Sequence, residues 1–233
     1  MTTIYLLCGL LCDDVVWQAQ ATALARDHDV RVVSFLDGED SLAAMAERVL
    51  AGAPDRFALA GHSMGGRVAL EVYRRAPDRV ERLALLDTGY EGPAPGEAER
   101  RAVLVDQART GGIDAIAAAW GLPMLAPGRR SDPVLTNEVF AMVGRMSGQI
   151  YAAQTRALLS RPDAGEVLRS VACPTLILCG KQDGWSPPER HLRMAELLPK
   201  APLLRLIEDC GHMAMMEQPD AVLDAMREWL ALR

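Results

Sequence analysis

The sequence predicts an α/β fold, a mostly parallel, doubly wound sheet with a helical insertion. Short apolar runs, typical of strands that are buried on both faces, alternate with helical patterns. This alternation is typical of βαβ units with right-handed crossovers. It stops after Asp87 and resumes near residue 171, and the intervening stretch has helical periodicity and several prolines but no strong strand pattern.

Six apolar runs predict the strands, at residues 4–8, 30–35, 56–60, 82–87, 174–179 and 203–207. Helical spacing predicts helices between and after them, at residues 15–26, 41–51, 64–75 and 186–198, with a last helix that begins at Pro219. Within the insertion, helices are predicted at residues 97–110, 113–120, 134–146 and 149–159.

The helices of the insertion have apolar faces that must be buried against something, so the insertion is not a linker. We therefore expect an α/β core from residues 1–87 and 171–233, with residues 88–170 forming a helical cap, or lid.

Composition limits the partners. The chain has 233 residues, half of them hydrophobic, and a net charge of −6, which argues against nucleic acid or an anionic membrane as a partner. We expect a small-molecule substrate and no cofactor, and the charge and composition leave open whether the chain is a monomer or a homodimer. The first ten residues have no positively charged segment and read as a buried strand rather than a signal peptide or a membrane span.

Five cysteines, at positions 8, 12, 173, 179 and 210, form an odd set without zinc-ligand spacing. We therefore expect no metal site. Free cysteines in predicted strands behave as small buried hydrophobic residues, which indicates a reducing, cytoplasmic compartment.

The stretch Gly61-His62-Ser63-Met64-Gly65 lies between an apolar run and a helical pattern. A serine at the apex of such a turn needs a strained backbone and neighbours that are nearly free of side chain, as Gly61 and Gly65 are. The pattern predicts a nucleophile elbow, in which the serine hydroxyl projects from the sheet above a helix N-terminus.

Polar residues also follow two later strands, where ligand sites of parallel sheets lie. Asp183 follows residues 174–179 and His212 follows residues 203–207. A serine hydroxyl needs a base to take its proton, and an imidazole oriented by a carboxylate can do so. Asp87, at another strand end, is the alternative acid, whereas His62 is expected to point away from the apex.

Three segments, GHSMGG, GKQDGWSPP and GHMAMMEQP, resemble the characteristic segments of the α/β-hydrolases in order and in structural context. The resemblance covers about two-thirds of the chain and lacks the first antiparallel strands of larger members. It implies a catalytic triad of Ser63, Asp183 and His212, with an oxyanion hole from the backbone amides of Met64 and Leu10. Cys8-Gly9 stands where many members have His-Gly, which changes the packing of that loop.

Bulky residues near these loops and in the cap are candidates for the walls of an apolar substrate pocket. The candidates are Leu11, Trp120, Trp185 and Met213, with Met124, Phe140, Met142, Met146 and Tyr151 as further cap residues. The two remaining histidines, His28 and His191, are expected to be solvated.

Three functions stay open at this point. The first is hydrolysis of a small carboxylic ester through an acyl-enzyme. The second is an enol-lactonase or a carbon–carbon bond hydrolase with the same triad, with Arg145 and Arg156 of the cap available for a substrate carboxylate. The third is a non-catalytic protein that binds a small molecule on the same scaffold.

Overall fold

A single six-stranded sheet organises the chain in the computed structural model, which describes residues 1–232. The strands are β1 (Thr3–Leu7), β2 (Asp29–Val33), β3 (Phe57–His62), β4 (Val80–Leu86), β5 (Thr175–Gly180) and β6 (Leu203–Ile207). All five neighbouring pairs are parallel, in the order β2-β1-β3-β4-β5-β6. The predicted fold class is confirmed.

The described chain has eleven α-helices, nine between strands and two after β6. They are α1 (Gln18–Leu24), α2 (Leu42–Gly52), α3 (Met64–Arg75), α4 (Glu97–Gly111), α5 (Asp114–Gly121), α6 (Pro133–Gly144), α7 (Gly148–Leu159), α8 (Gly165–Ser170), α9 (Pro188–Leu197), α10 (Ala214–Glu217) and α11 (Pro219–Ala231). None of them is long and apolar enough to cross a membrane.

The structure differs from the predicted elements in three places. The helix expected at residues 15–26 begins with a 3₁₀ turn, Asp14–Trp17, because Asp13 caps Val15 and the chain bends before α1. The short helices α8 and α10 were not predicted, since four to six residues are too few to show a helical period.

The core lies on both faces of the sheet. Every residue of β3 and β5 is buried, as expected for central strands covered by helices. Parallel register aligns the carboxyl ends of the strands: Leu7 pairs with Gly61, and His62 with Leu86. The loops that follow these strands therefore share one rim of the sheet, and α4 to α8 all fall between β4 and β5 in the chain.

Glycines permit the close approach of backbones at this rim. A Cβ on Gly180, the last residue of β5, would lie 2.1 Å from the carbonyl oxygen of Gly211 and 2.5 Å from that of Cys210. The loops after β5 and β6 therefore touch only because this side chain is absent.

Gly180→Ala should consequently lower the free energy of unfolding by about 3 kcal/mol, because a backbone carbonyl cannot move as a flexible side chain does. Gly128→Ala is the matched control, since a Cβ there meets nothing within 4 Å. Urea denaturation of both variants checks this. A Gly180→Ala variant as stable as Gly128→Ala would show that the two loops separate freely.

Candidate active site

The turn between β3 and α3 holds Ser63 in a strained conformation. Its φ is 53° and its ψ is −115°, a region that residues with a side chain rarely occupy. Its amide donates to Leu86 O at 2.9 Å, and the Thr88 hydroxyl donates to Ser63 O at 2.6 Å. A Cβ on Gly61 would lie 2.3 Å from Gly65 O, so both flanking glycines are required by the close approach of the backbone.

Two side chains from other loops complete a hydrogen-bonded chain with this serine. His212 Nε2 lies 2.8 Å from Ser63 Oγ, and His212 Nδ1 lies 2.8 Å from Asp183 Oδ2. Asp183 and His212 are almost fully buried. The three residues that the sequence singled out are thus in contact in the expected order.

The environment of Asp183 keeps it ionised. Burial alone would raise its pKa, but His212 and the amides of Trp185 and Ser186, each 2.8 Å from Asp183 Oδ1, together lower the pKa below its usual value. An ionised carboxylate there fixes the Nδ1–H tautomer of His212, which leaves Nε2 free to accept the serine proton.

Asp87, the alternative acid, lies close to Asp183 but makes no hydrogen bond to His212. Its Oδ1 accepts the amide of Gly180 at 2.9 Å, and its Oδ2 is buried without a hydrogen-bond partner among the described residues. Burial and the nearby charge of Asp183 raise its pKa well above the usual value. Asp87 therefore fits a neutral carboxylic acid that packs beneath the site and does not touch His212.

His62 and His191 are both buried, and for His191 the expectation of a solvated side chain is wrong. His62 Nε2 lies 2.8 Å from His212 O, which ties the elbow to the loop after β6. His191 Nε2 accepts the amide of Thr88 at 3.0 Å, and its Nδ1 lies 3.2 Å from Pro187 O. His191 is buried because α9 packs against the loop after β4, which its own helical pattern does not reveal.

The loop after β1 faces the elbow. Neither the amide of Leu10 nor that of Met64 donates to another group of the described chain. Leu11 has a positive φ of 56°, and its amide donates to Gln154 Oε1 at 2.9 Å. Gln154, a fully buried residue of α7, donates in turn to Phe35 O at 2.7 Å. This glutamine was not predicted, because 143 positions separate it from Leu11.

A second residue that the sequence did not single out, Glu217, holds the loop that carries His212. Its Oε1 accepts the amides of Gly211 and Met213, and its Oε2 accepts the amide of Ala126 at 2.8 Å. The amide of His212 donates to Met124 O at 2.7 Å. The segment between α5 and α6 therefore supports the histidine directly.

A cavity of about 800 Å³ opens onto Ser63 and His212, and a recess of about 40 Å³ lies beside them. Of the predicted pocket residues, Trp120 and Trp185 line both spaces, and Met213 and Met124 line the recess. Tyr151 lines the larger cavity. The others line neither space: Leu11, Phe140, Met142 and Met146.

The arginines of this cavity differ from those expected. Arg145 pairs with Asp13, and Arg156 with Asp40, and neither lines the cavity. The arginines that do line it are Arg67, Arg100, Arg101, Arg161 and Arg190. Arg67 follows Ser63 by one helical turn on α3, and this spacing in the sequence could have identified it as a residue of the cavity.

One group of buried residues in the described chain brings three potential metal ligands together: Asp87, Cys179 and Asp183. Asp183 already uses both oxygens for His212 and two amides. Burial raises the pKa of the Cys179 thiol, so the thiolate that binds a metal is disfavoured. The three side chains instead make hydrogen bonds to the end of β5 and the loop after it, at Gly180, Trp185 and Ser186.

The parallel sheet, the strained serine turn and the imidazole on a later strand-end loop together have the arrangement of an α/β hydrolase. The chain belongs to the alpha/beta hydrolase family, whose model matches residues 8–225. The recognition made from the three sequence segments is thereby confirmed.

Individual relatives agree with this assignment. An esterase from Thermogutta terrifontis, solved with malate bound, is 30% identical, with a TM-score of 0.89 over 99% of this chain and 89% of that chain. A protein of Agrobacterium fabrum named as the carbamate hydrolase RutD is 27% identical over 94% of this chain and 88% of its own. A 2-hydroxy-6-oxononadienedioate/2-hydroxy-6-oxononatrienedioate hydrolase of Burkholderia vietnamiensis is 26% identical over 78% and 67%.

Burial lowers the pKa of His191 to about 4, while an unfolded chain leaves a histidine near 6.5. The neutral form is therefore favoured in the fold, and stability is lost as the pH falls from about 6.5 to about 4. The loss from this one group is about 1.4 kcal/mol per pH unit.

His191→Gln should remove this slope, because an amide can still accept from Thr88 and donate to Pro187 but does not titrate. Urea denaturation of both proteins between pH 6.5 and 4.5 measures the difference. Burial also lowers the pKa of His62. Because His62 is present in the parent and in the variant, its contribution to the slope cancels in the comparison. Equal slopes would contradict a neutral His191.

Proposed function

We propose that this chain is a serine hydrolase of small carboxylic esters, a carboxylesterase with Ser63, His212 and Asp183 as its catalytic triad. The observation that carries the proposal is the unbroken chain of contacts from Ser63 Oγ through His212 to Asp183, with both distances at 2.8 Å. These distances are within hydrogen-bond range before any substrate binds.

In the proposed reaction, Ser63 Oγ attacks the ester carbonyl while His212 Nε2 takes its proton. The imidazolium then gives this proton to the leaving alcohol. The alcohol departs, and the acyl group stays bound to Ser63 as the acyl-enzyme. A water molecule then attacks the acyl carbon while His212 takes its proton, and the imidazolium returns that proton to Ser63 Oγ as the bond to the acyl group breaks and the acid leaves. Asp183 stays ionised throughout and stabilises the positive charge on His212.

The oxyanion of each tetrahedral intermediate would be held by the amides of Leu10 and Met64. Supporting this role, both amides are without a partner in the described chain and flank Ser63. Met64 is the first residue of α3, so the positive end of the helix dipole adds to its effect. One such donor is worth about 2.7–4 kcal/mol in the transition state.

We also propose that residues 88–170 act as a cap over the core of residues 1–87 and 171–233. In support, Trp120, Tyr151 and Leu158 of this segment line the cavity over Ser63. Trp120, Trp185 and Met213 would contact the acyl part of the substrate. All five cysteines are free, which fits a reducing, cytoplasmic compartment.

A lactonase or a carbon–carbon bond hydrolase is the second candidate, and the arginine-rich cavity favours it. The Burkholderia relative is named for a substrate with two carboxylates, and the Agrobacterium relative for a carbamate. A panel of p-nitrophenyl esters, a lactone, a carbamate and a dienone would separate these reactions. A non-catalytic binding protein would turn over none of them.

Ser63→Ala should lower kcat for p-nitrophenyl acetate by at least about 10⁴-fold, because no other group can form the acyl-enzyme. The melting temperature should stay close to that of the parent, since alanine keeps the Cβ of the turn. A fluorophosphonate should label position 63 in the parent chain. Ser186→Ala, at the other serine of the cavity, is the control and should still be labelled there. Turnover by Ser63→Ala at the parent rate would refute the proposed nucleophile.

Gln154→Leu should lower kcat about 10- to 100-fold with little change in KM. The variant leaves the Leu11 amide and Phe35 O unpaired, so the loop that presents the Leu10 amide shifts. Gln149→Leu, at an exposed position of the same helix, is the control. Steady-state kinetics with p-nitrophenyl acetate measures both. Equal kcat values in the two variants would show that Gln154 does not position the loop.

A further inference from the structure

The cavity over Ser63 has a charge opposite to that of the protein. The chain carries a net charge of −6, whereas the cavity is lined by five arginines against two acidic residues, Glu91 and Glu97. Its walls also include the apolar or aromatic side chains of Leu104, Trp120, Tyr151 and Leu158. Low-dielectric walls around an excess of positive charge concentrate anions from solution.

Two of these arginines share one carboxylate and keep one unit of positive charge between them. Arg161, with a side chain that is 6% exposed, pairs with Glu97 through both terminal nitrogens, at 2.9 and 2.7 Å. Arg101 donates to the same carboxylate at 2.8 Å. Glu97 therefore serves two guanidiniums and has nothing left for a third.

Arg67 has no such partner. Its one hydrogen bond goes to the backbone oxygen of Glu91 at 2.7 Å, and no carboxylate of the described chain lies within ion-pair distance of it. Burial and the charges of Arg161 and Arg190 lower its pKa to about 9. A guanidinium that is held here stays positive most easily when an anion joins it.

Arg190 stands next to Arg67. The Cβ position of Gly89 would meet Arg190 Cδ at 2.7 Å and an Arg67 terminal nitrogen at 2.9 Å. Arg190 Nε is buried without a hydrogen bond, although Glu91 lies 3.2 Å from it at an angle unsuited to one. Glu91 is also shared with Arg193, so this corner keeps donors to spare.

We propose that Arg67 and Arg190 form an anion subsite that binds a carboxylate of the substrate, so that the natural ester is a half-ester of a short dicarboxylic acid. This inference rests on the proposed ester hydrolysis. Arg67 lies four residues after Ser63 on α3, about 6 Å along the helix axis. That separation suits a dicarboxylic acid of four to six carbons in total, the two carboxyl carbons included.

The test compares mono-p-nitrophenyl glutarate with p-nitrophenyl valerate, which has the same chain length but no charge. The parent protein should show a higher kcat/KM for the glutarate half-ester. Arg67→Met should lower the ratio of the two kcat/KM values about 10- to 100-fold, and Arg67→Lys should restore part of it. Methionine is chosen because Arg67 also lines a neighbouring cavity of about 310 Å³, which a shorter side chain would join to the first.

Arg156→Met is the matched control, because Arg156 is exposed and lies outside both cavities. It should leave the ratio unchanged. Calorimetry with free glutarate is a second measurement that needs no turnover and is made on the parent protein. Glutarate should bind the parent, and binding should weaken as salt rises from about 20 to about 300 mM.

A ratio at or below one in the parent, or an equal ratio in Arg67→Met, overturns the subsite while ester hydrolysis stands. If the parent turns over neither ester but still binds glutarate in a salt-dependent way, the proposed reaction is refuted and the subsite stands. Absence of glutarate binding to the parent also refutes the subsite. If Arg67→Met does not fold, the ratio of kcat/KM values in the parent and the salt dependence of glutarate binding to the parent still test the subsite.

Discussion

Backbone strain at one rim of the sheet is the constraint on which the site depends. The described chain has four non-glycine residues with positive φ, and all lie just past strand ends: Leu11, Ser63, Asp87 and Asp209. Each such residue costs about 1–3 kcal/mol and persists only where neighbours hold it. At Ser63 the holding groups are Leu86 O and the Thr88 hydroxyl. The rest of the rim is built to keep these turns in place.

Buried side chains from distant segments supply that support. Gln154 of α7 fixes the Leu11 amide, Glu217 fixes the loop of His212 and reaches Ala126, and His191 fixes the amide of Thr88. Breaking any one of these hydrogen bonds would leave a buried polar group without a partner, which destabilises the fold. The segment between β4 and β5 therefore helps to hold the site as well as covering it.

The sequence predicted what local patterns encode. Apolar runs located all six strands, and the glycine spacing located the serine turn, because both depend on neighbours within a few residues. Gln154 could not be found this way, since its partners Leu11 and Phe35 are 143 and 119 positions away in the sequence. Glu217 has near partners, but the one that links its loop to the segment before α6 is Ala126, 91 positions away. The sequence does not single out Arg67 and predicts a solvated His191, because the packing of the loop after β4 is not visible in a local pattern. The short helices α8 and α10 have too few residues to show a period.

The charge of the cavity links substrate choice to chemistry. A positive cavity in an acidic protein attracts anions, and under the proposed mechanism it would also stabilise the negative oxygen beside Leu10 and Met64. A substrate carboxylate bound at Arg67 would cancel part of the positive potential of the cavity. The substrate carboxylate and the negative oxygen of the transition state would then compete for that potential. Arg101 and Arg161 share Glu97, whereas Arg67 lies one helical turn from Ser63 without an ion pair among the described residues. Separating the anion subsite from the oxyanion hole lets each negative charge meet its own donors. Under the proposed function, the excess of arginine over glutamate in this cavity serves two anions, one on the substrate and one that exists only in the transition state.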